Sequence, residues 1–254
     1  MTVPPHVALA EHLAAAGLDW IVPDWPAAPN VRALSTTRNG PDGGEFDLSP
    51  RHPTAETAWM ELGRWLPATP LRLAQVHGTT VCDADALRAP SSPQADGAAA
   101  RGAGIVCAVR SADCLPVLFS DRDGSVVAAA HAGWRGLAAG VLEAAVAALR
   151  VAPADVLVWL GPAIGPHVYE VGADVFAACC AADPGAEACF VEQRHGKWLA
   201  DLYALAKRRL ARAGVSAIYG GDRCTFTESS RFHSHRRDGA AAGRMATAIW
   251  IAPT

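Results

Sequence analysis

The chain has 254 residues, 51% of them apolar and 19% charged, which is enough apolar surface for a packed core and excludes wholesale disorder. Its 22 basic and 25 acidic residues leave a net charge of -3, so neither sign is in the excess that marks a partner for nucleic acid or for an anionic membrane. No basic residue precedes Arg32, so the N-terminus lacks a signal peptide's basic stretch, and no uncharged apolar run reaches the roughly 18 residues of a membrane span. Seven cysteines, an odd number in a chain large enough to fold without staples, read as free thiols in a reducing compartment. The expectation is a cytoplasmic monomer with no membrane and no nucleic-acid partner.

Residues 1–30 read as an irregular N-terminal segment with one short helix over Val7–Ala16 and proline punctuation at Pro23, Pro26 and Pro29. A strand follows over Val31–Thr37, then a loop over Arg38–Gly44. Ala58, Leu62 and Leu66 recur at helical spacing and predict a helix over Thr54–Leu66, ended by Pro67. Leu71–Val76 is strand-like and stops at His77-Gly78, and an Ala/Pro/Ser-rich surface loop is expected over 88–104. Three short apolar strands follow, Gly104–Val109, Leu115–Phe119 and Val126–Ala130, with a tight turn at Asp123-Gly124. One amphipathic helix is expected over Arg135–Leu149. Beyond it come a strand over Val156–Leu160, helices over Gly172–Ala182 and Leu199–Ala213, and strands over Val215–Tyr219 and Met245–Ile251. Helices alternate with short apolar strands, with hairpins among them, and no linker or repeat divides the chain. The reading is α/β: one mixed-sheet α/β sandwich domain over residues 1–254.

Four segments carry more reactive groups than packing requires: Gln75–Gly78, Ser111–Pro116, His131–Gly136 and the tail from Arg231 to Arg244. His77, Cys114 and His131 all fall at expected strand ends, where an α/β sheet gathers ligands and catalytic groups. One thiolate and two imidazoles are preferred donors for zinc, and three protein ligands leave the fourth position open, the catalytic pattern. Taken singly, a cysteine before an apolar strand is more often a small core residue, and the separations between the three match no short metal motif. The same residues allow a different chemistry, with Cys114 as nucleophile and His131 as its base.

The strings Gln75-Val76-His77-Gly78, Ala112-Asp113-Cys114-Leu115-Pro116, His131-Ala132-Gly133-Trp134-Arg135-Gly136 and Gly161-Pro162-Ala163-Ile164-Gly165, with Tyr169-Glu170-Val171 and Ser234 through Arg244 into Ile249-Trp250, resemble the YfiH family. Its members are also called laccase-domain, polyphenol oxidoreductase or peptidoglycan-editing-factor proteins. The resemblance implies a fold similar to the catalytic domain of cytotoxic necrotizing factors. It also implies a metal site, usually zinc, whose ligands fall on His77, Cys114 and His131. The implied activity is phosphorolysis of purine nucleosides (adenosine, inosine and methylthioadenosine), with adenosine deamination. Copper-dependent phenol oxidation, and a cytoplasmic amidase role on UDP-muramoyl-serine using Cys114 and His131, are also attributed to members. The partners implied are small molecules, a purine nucleoside and phosphate. The N-terminal loop departs from the family pattern at Pro41–Glu45 and Phe46–Ser49, and His233 and His235 stand where aromatic residues are common.

Ligand chemistry sorts these activities. A multicopper oxidase needs about eight imidazoles for a trinuclear cluster plus a His₂Cys copper, and nine histidines, of which His6, His12 and His52 lie in segments without metal-like company, do not fill both. One copper at the His77–Cys114–His131 set remains open. A single zinc suits hydrolytic chemistry better, because it activates water near neutral pH. Phosphorolysis needs an anion clamp, for which Arg38, Arg135, Arg236, Arg237 and Arg244 are candidates, Arg135 foremost. Gln75, Asp113, Glu170 and Ser234 complete the expected substrate-side residues. A non-enzymatic zinc-binding module is the remaining reading.

Overall fold

The computed structural model describes residues 5–87, 92–181 and 183–253. In chain order the elements are α1 (Pro5–Ala15), β1 (Val31–Ser35), α2 (Ala55–Gly63), β2 (Val81–Asp83), β3 (Gly97–Ala100), β4 (Val106–Ser111), β5 (Leu115–Asp121) and β6 (Val127–Ala132). They continue with α3 (Trp134–Ala139), α4 (Val141–Leu149), β7 (Val156–Leu160), β8 (Glu170–Gly172), α5 (Ala173–Ala181), β9 (Phe190–Arg194) and β10 (Lys197–Ala200). The last are α6 (Leu202–Arg212), β11 (Ala217–Gly220), α7 (His235–Asp238) and β12 (Met245–Ile251).

A six-stranded mixed sheet in the order β11-β7-β5-β6-β3-β2 forms the centre, and a three-stranded sheet, β1-β12-β4, packs on one of its faces. Successive side chains of a strand point to opposite faces, so each apolar strand of the centre feeds two cores. In β5, Val117 and Phe119 meet α3 to α6, whereas Leu118 meets the smaller sheet. The outer face of the smaller sheet is covered by α1, α2 and the Leu18–Trp20 segment. The result is an α/β/β/α sandwich whose central strands are apolar at nearly every position because both faces are buried. A third sheet, β8-β10-β9, borders the helical layer.

Several expectations need correction. The helix expected over Arg135–Leu149 breaks into α3 and α4 at Gly140, whose φ of +107° no helix interior accommodates. Leu71–Val76 is no strand; its one bridge pairs Leu71 with Cys107, and the Gln75 side-chain amide exchanges two 2.8 Å hydrogen bonds with the Arg110 backbone where a ladder would continue. The loop expected over 88–104 contains β3, where Ala98 and Ala100 are fully buried; low-propensity alanine forms a strand because its backbone pairs with β2 on one side and β6 on the other. The β9–β10 hairpin, turning at Gly196, and α7 have no counterpart in the expectations. In the N-terminal segment the expected short helix forms as α1, and beyond the expectation Leu13, Leu18, Trp20 and Trp25 are buried. Residues 88–91 of the expected loop and Ala182 of the expected helix lie outside the described residues.

Gly140→Ala tests the helix break. A β-carbon there finds only ordinary contacts, 3.6 Å at nearest, so the effect is one of backbone strain. The variant is expected to lose about 1–2 kcal/mol in urea unfolding, whereas the same change inside a continuous helix would gain about 1 kcal/mol.

Candidate metal centre

His131 is the penultimate residue of β6 and Cys114 immediately precedes β5, and these strands are antiparallel neighbours with Pro116 opposite His131. Register alone therefore places the thiol beside the imidazole. His77 reaches the same point from the loop before β2, at a φ of +61° that is uncommon for a residue with a β-carbon. The donor atoms of the three residues lie within 4.8 Å of one another, with His77 Nε2 3.9 Å from Cys114 Sγ. Zinc bonds of about 2.0–2.3 Å place tetrahedral donors roughly 3.3–3.8 Å apart, so a small contraction closes the set around one ion. His131 is 3% exposed, Cys114 half-buried and His77 exposed, so the cluster opens to solvent on the His77 side. Among the described residues it is the one such group of His, Cys, Asp and Glu.

Two glycines permit this approach. A β-carbon at Gly133 would lie 2.7 Å from His77 Cδ2 and 3.1 Å from Cys114 Sγ, and one at Gly136 would lie 2.8 Å from the Gly78 carbonyl oxygen. The string His131–Gly136 thus joins a candidate ligand to the two glycines, Gly133 and Gly136, that let α3 lie close to the His77 loop.

Asp96, absent from the sequence-based candidates, sits beneath the cluster. It is fully buried, and its carboxylate accepts hydrogen bonds from the backbone N–H of Val76 (3.1 Å), His77 (2.9 Å) and Gly78 (2.7 Å) and from His131 Nδ1 (2.9 Å). The bond at Nδ1 directs Nε2 of His131 toward Cys114. Burial alone would raise the Asp96 carboxyl, but its bonds with His131 and the backbone of Gly78 and Val76 hold it below the usual carboxylate range. Burial would likewise raise the Cys114 thiol; the His131 imidazolium outweighs it, helped by His77, and brings the thiol down to about 6. Burial would lower His131, but the Cys114 thiolate and Asp96 raise it to about 9. The metal-free centre therefore holds a thiolate and an imidazolium side by side.

Most of the remaining candidates are committed to structure. Asp113, at φ +86°, binds Thr225 Oγ1 and the backbone N–H of Arg236 (2.6 Å each), tying the tail to the Cys114 turn. Ser234 caps α7. Arg237 donates to the carbonyls of Thr225, Phe226 and Phe232 and pairs with Asp238. Arg38 binds the Ser229 carbonyl and Glu45, Arg236 binds the Glu170 carbonyl while stacking on Tyr169, and Arg244 binds the carbonyls of Ala242 and Gly243. Glu170 pairs with Arg194, and Gln75 is held by Arg110. Arg135 differs: it is exposed, lies over the Trp134 ring at 4.3 Å, and has no ion pair among the described residues. His233 and His235 bond to the carbonyls of Phe46 and Gly239 and do not join the cluster.

All seven cysteines are free, and burial pushes the thiols of Cys82, Cys107, Cys179, Cys180 and Cys189 up. Iodoacetamide should therefore favour Cys114 over these five in metal-free protein, with a rate that rises through about pH 6 and is suppressed by zinc. Peptide mapping that finds Cys114 alkylated only above about pH 8 would refute the ion pair. The thiol is depressed on folding, so its contribution to metal-free stability fades as pH falls through about 6. His131 is raised, so its contribution fades as pH rises through about 9.

A family model described as multi-copper polyphenol oxidoreductase laccase matches residues 56–252. The purine nucleoside phosphorylase YfiH of Escherichia coli is 47% identical over 246 residues, covering 91% of this chain and 98% of that one. A purine nucleoside phosphorylase of Pseudomonas aeruginosa is 46% identical over 243 residues, again covering 91% and 98%. The crystal structure of a Neisseria meningitidis protein of the DUF152 family superposes with a TM-score of 0.83 at 44% identity, covering 92% of this chain and all of that one. YlmD from Geobacillus stearothermophilus superposes at 0.81 with 28% identity, covering 90% and 94%. With the family match spanning most of the chain and relatives near half identical along almost their whole length, this protein belongs to the YfiH, or laccase-domain, family.

Proposed function

We propose that the protein is a zinc-dependent enzyme of purine nucleosides, cleaving adenosine, inosine and methylthioadenosine by phosphorolysis and also deaminating adenosine. The observation that carries this reading is an open His77–Cys114–His131 donor set with the uncommitted arginine Arg135 two residues beyond Gly133, which packs against it. Relatives named purine nucleoside phosphorylase support the substrate class. In phosphorolysis the bond from the sugar anomeric carbon to the purine nitrogen breaks and a bond to a phosphate oxygen forms; the base leaves with the electron pair and takes up a proton. Zinc held by the three residues would supply Lewis-acid stabilisation of negative charge. Arg135, with no carboxylate to neutralise it, binds and orients phosphate, and its stacking on Trp134 limits the rotamers lost when it does so. Asp96 keeps the Nδ1 proton of His131 in place.

A second reading draws on the same alignment. Asp96, His131 and Cys114 stand in the order carboxylate, imidazole, thiol, the arrangement of a nucleophilic triad, which suits amide hydrolysis of UDP-muramoyl-serine.

Inosine with phosphate, and separately UDP-muramoyl-serine, distinguish the two. Hypoxanthine release without serine release is expected, and the reverse outcome installs the amidase. Arg135→Ala should raise the phosphate KM by about 10–100-fold, the loss of one charge-assisted hydrogen bond. An unchanged phosphate KM removes Arg135 from the site. Cys114→Asp retains a zinc ligand but no thiol, so it should keep weakened metal content and residual nucleoside cleavage. Normal zinc with no activity, together with irreversible block of the wild type by iodoacetamide, would establish the thiol mechanism.

A further inference from the structure

A carboxylate removed from water persists only where hydrogen bonds replace its hydration. Among the described residues, the charged side chain that pairs with Asp96 is His131, and the remaining donors are three consecutive backbone N–H groups. Consecutive amides converge on an anion when one residue between them adopts a left-handed conformation, forming a nest. Here that residue is His77. Without the anion, the nest would leave three N–H groups pointing at one another, and the left-handed turn would lose the group that repays its strain.

The two carboxylate oxygens divide the task. Oδ2 accepts from Val76 and Gly78, whereas Oδ1 accepts from the His77 N–H and from His131 Nδ1. One oxygen atom thus touches both imidazole-bearing residues of the cluster. The Asp96 backbone grips the same partner, its carbonyl accepting the His131 N–H at 2.7 Å. We infer that Asp96 is the positioning residue of the metal centre: its single buried carboxylate sets the backbone turn that brings the His77 ring over Cys114 and fixes the His131 tautomer that presents Nε2. This rests on the metal-centre reading above and extends it to an element outside the three ligands.

The isosteric amide exposes the role. Asparagine must turn its NH₂ group either toward the N–H groups of Val76 and Gly78 or toward the His77 N–H and His131 Nδ1, and each choice sets donor against donor. A buried aspartate elsewhere supplies the comparison: Asp47 accepts the backbone N–H groups of Ser49 and Arg244 and touches no member of the cluster.

Zinc dissociation constants from chelator competition should be measured for wild type, Asp96→Asn and Asp47→Asn, with urea unfolding of each metal-free protein alongside. Asp96→Asn is expected to weaken zinc by about 10–100-fold, while Asp47→Asn loses stability with its zinc constant unchanged. Equal zinc constants for wild type and Asp96→Asn overturn the positioning role, whereas a wild type that binds no zinc overturns the metal centre itself. Should Asp96→Asn fail to fold, nitrogen NMR of wild-type His131 decides. In the zinc-loaded protein, a proton on Nδ1 with the zinc-induced shift on Nε2 upholds the assignment; a proton on Nε2 there overturns it.

Discussion

The negative charge of Asp96 has no water around it, and the surrounding backbone is arranged to reach it. Satisfying a buried carboxylate requires several donors at fixed angles, and donors at fixed angles require a fixed chain path. The 76–78 segment must run across the start of β3, His77 must take a left-handed turn, and β6 must lie in register so that His131 offers both its backbone N–H and its Nδ1. A donor set for a metal is the by-product of this arrangement. The strain of one residue and the desolvation of one charge offset each other, and neither feature would persist alone.

The sandwich places this unit where it remains accessible. The central strands are buried on both faces, so neither face of the sheet can host a reactive group in contact with solvent. Only strand ends are left, and the antiparallel pairing of β5 with β6 puts the start of one beside the end of the other. The chain leaves β6 through Gly133 and enters α3 at once, which seals the cluster from the helical side and leaves His77 as its solvent-facing wall. The tail is held to the turn before Cys114 by the Asp113 carboxylate, so buried aspartates flank two of the three clustered residues in space or in sequence, Asp96 at His131 and Asp113 next to Cys114.

Strong local patterns carried most of the fold to the reader of the sequence. The runs Leu115–Phe119 and Val156–Leu160 are strands because they are apolar, short and bounded by turn residues, and both lie within observed strands. The three candidate donors stood out because a thiol and two imidazoles fell at apparent segment ends, and the structure brings them within 4.8 Å of one another. What escaped was set by tertiary context. Strand β3 is an alanine run that composition assigns to a loop, and only its pairing with β2 and β6 makes it a strand. Asp96 begins that run, and its one local sign was a carboxylate embedded in small apolar residues from Ala95 to Ala100. The arginines misled for a related reason: Arg237 and Arg244 look like anion clamps in sequence, yet their donors are spent on backbone carbonyls that no local pattern predicts. A cationic side chain is available to a ligand only when the fold leaves it unpartnered, a property of three dimensions.

The description attached to the family invokes several coppers, whereas the described residues offer one His-Cys-His donor cluster that could hold a metal. A multicopper oxidase couples a His₂Cys copper to further coppers that need imidazoles of their own. Three of the described histidines outside the cluster are held by partners of their own. His233 is buried against the Phe46 carbonyl, His235 binds the Gly239 carbonyl and His52 binds the Thr54 hydroxyl. The Asp96–His131 bond points the same way. A carboxylate on the distal imidazole nitrogen raises ligand basicity and fixes ring orientation, the arrangement by which zinc enzymes hold a Lewis acid rigid. Arg135, stacked on Trp134 and without an ion pair among the described residues, is the cation of the candidate set that the fold leaves uncommitted. The same buried carboxylate that shapes the fold therefore also fixes the imidazole of the donor set, so fold and candidate site depend on one group.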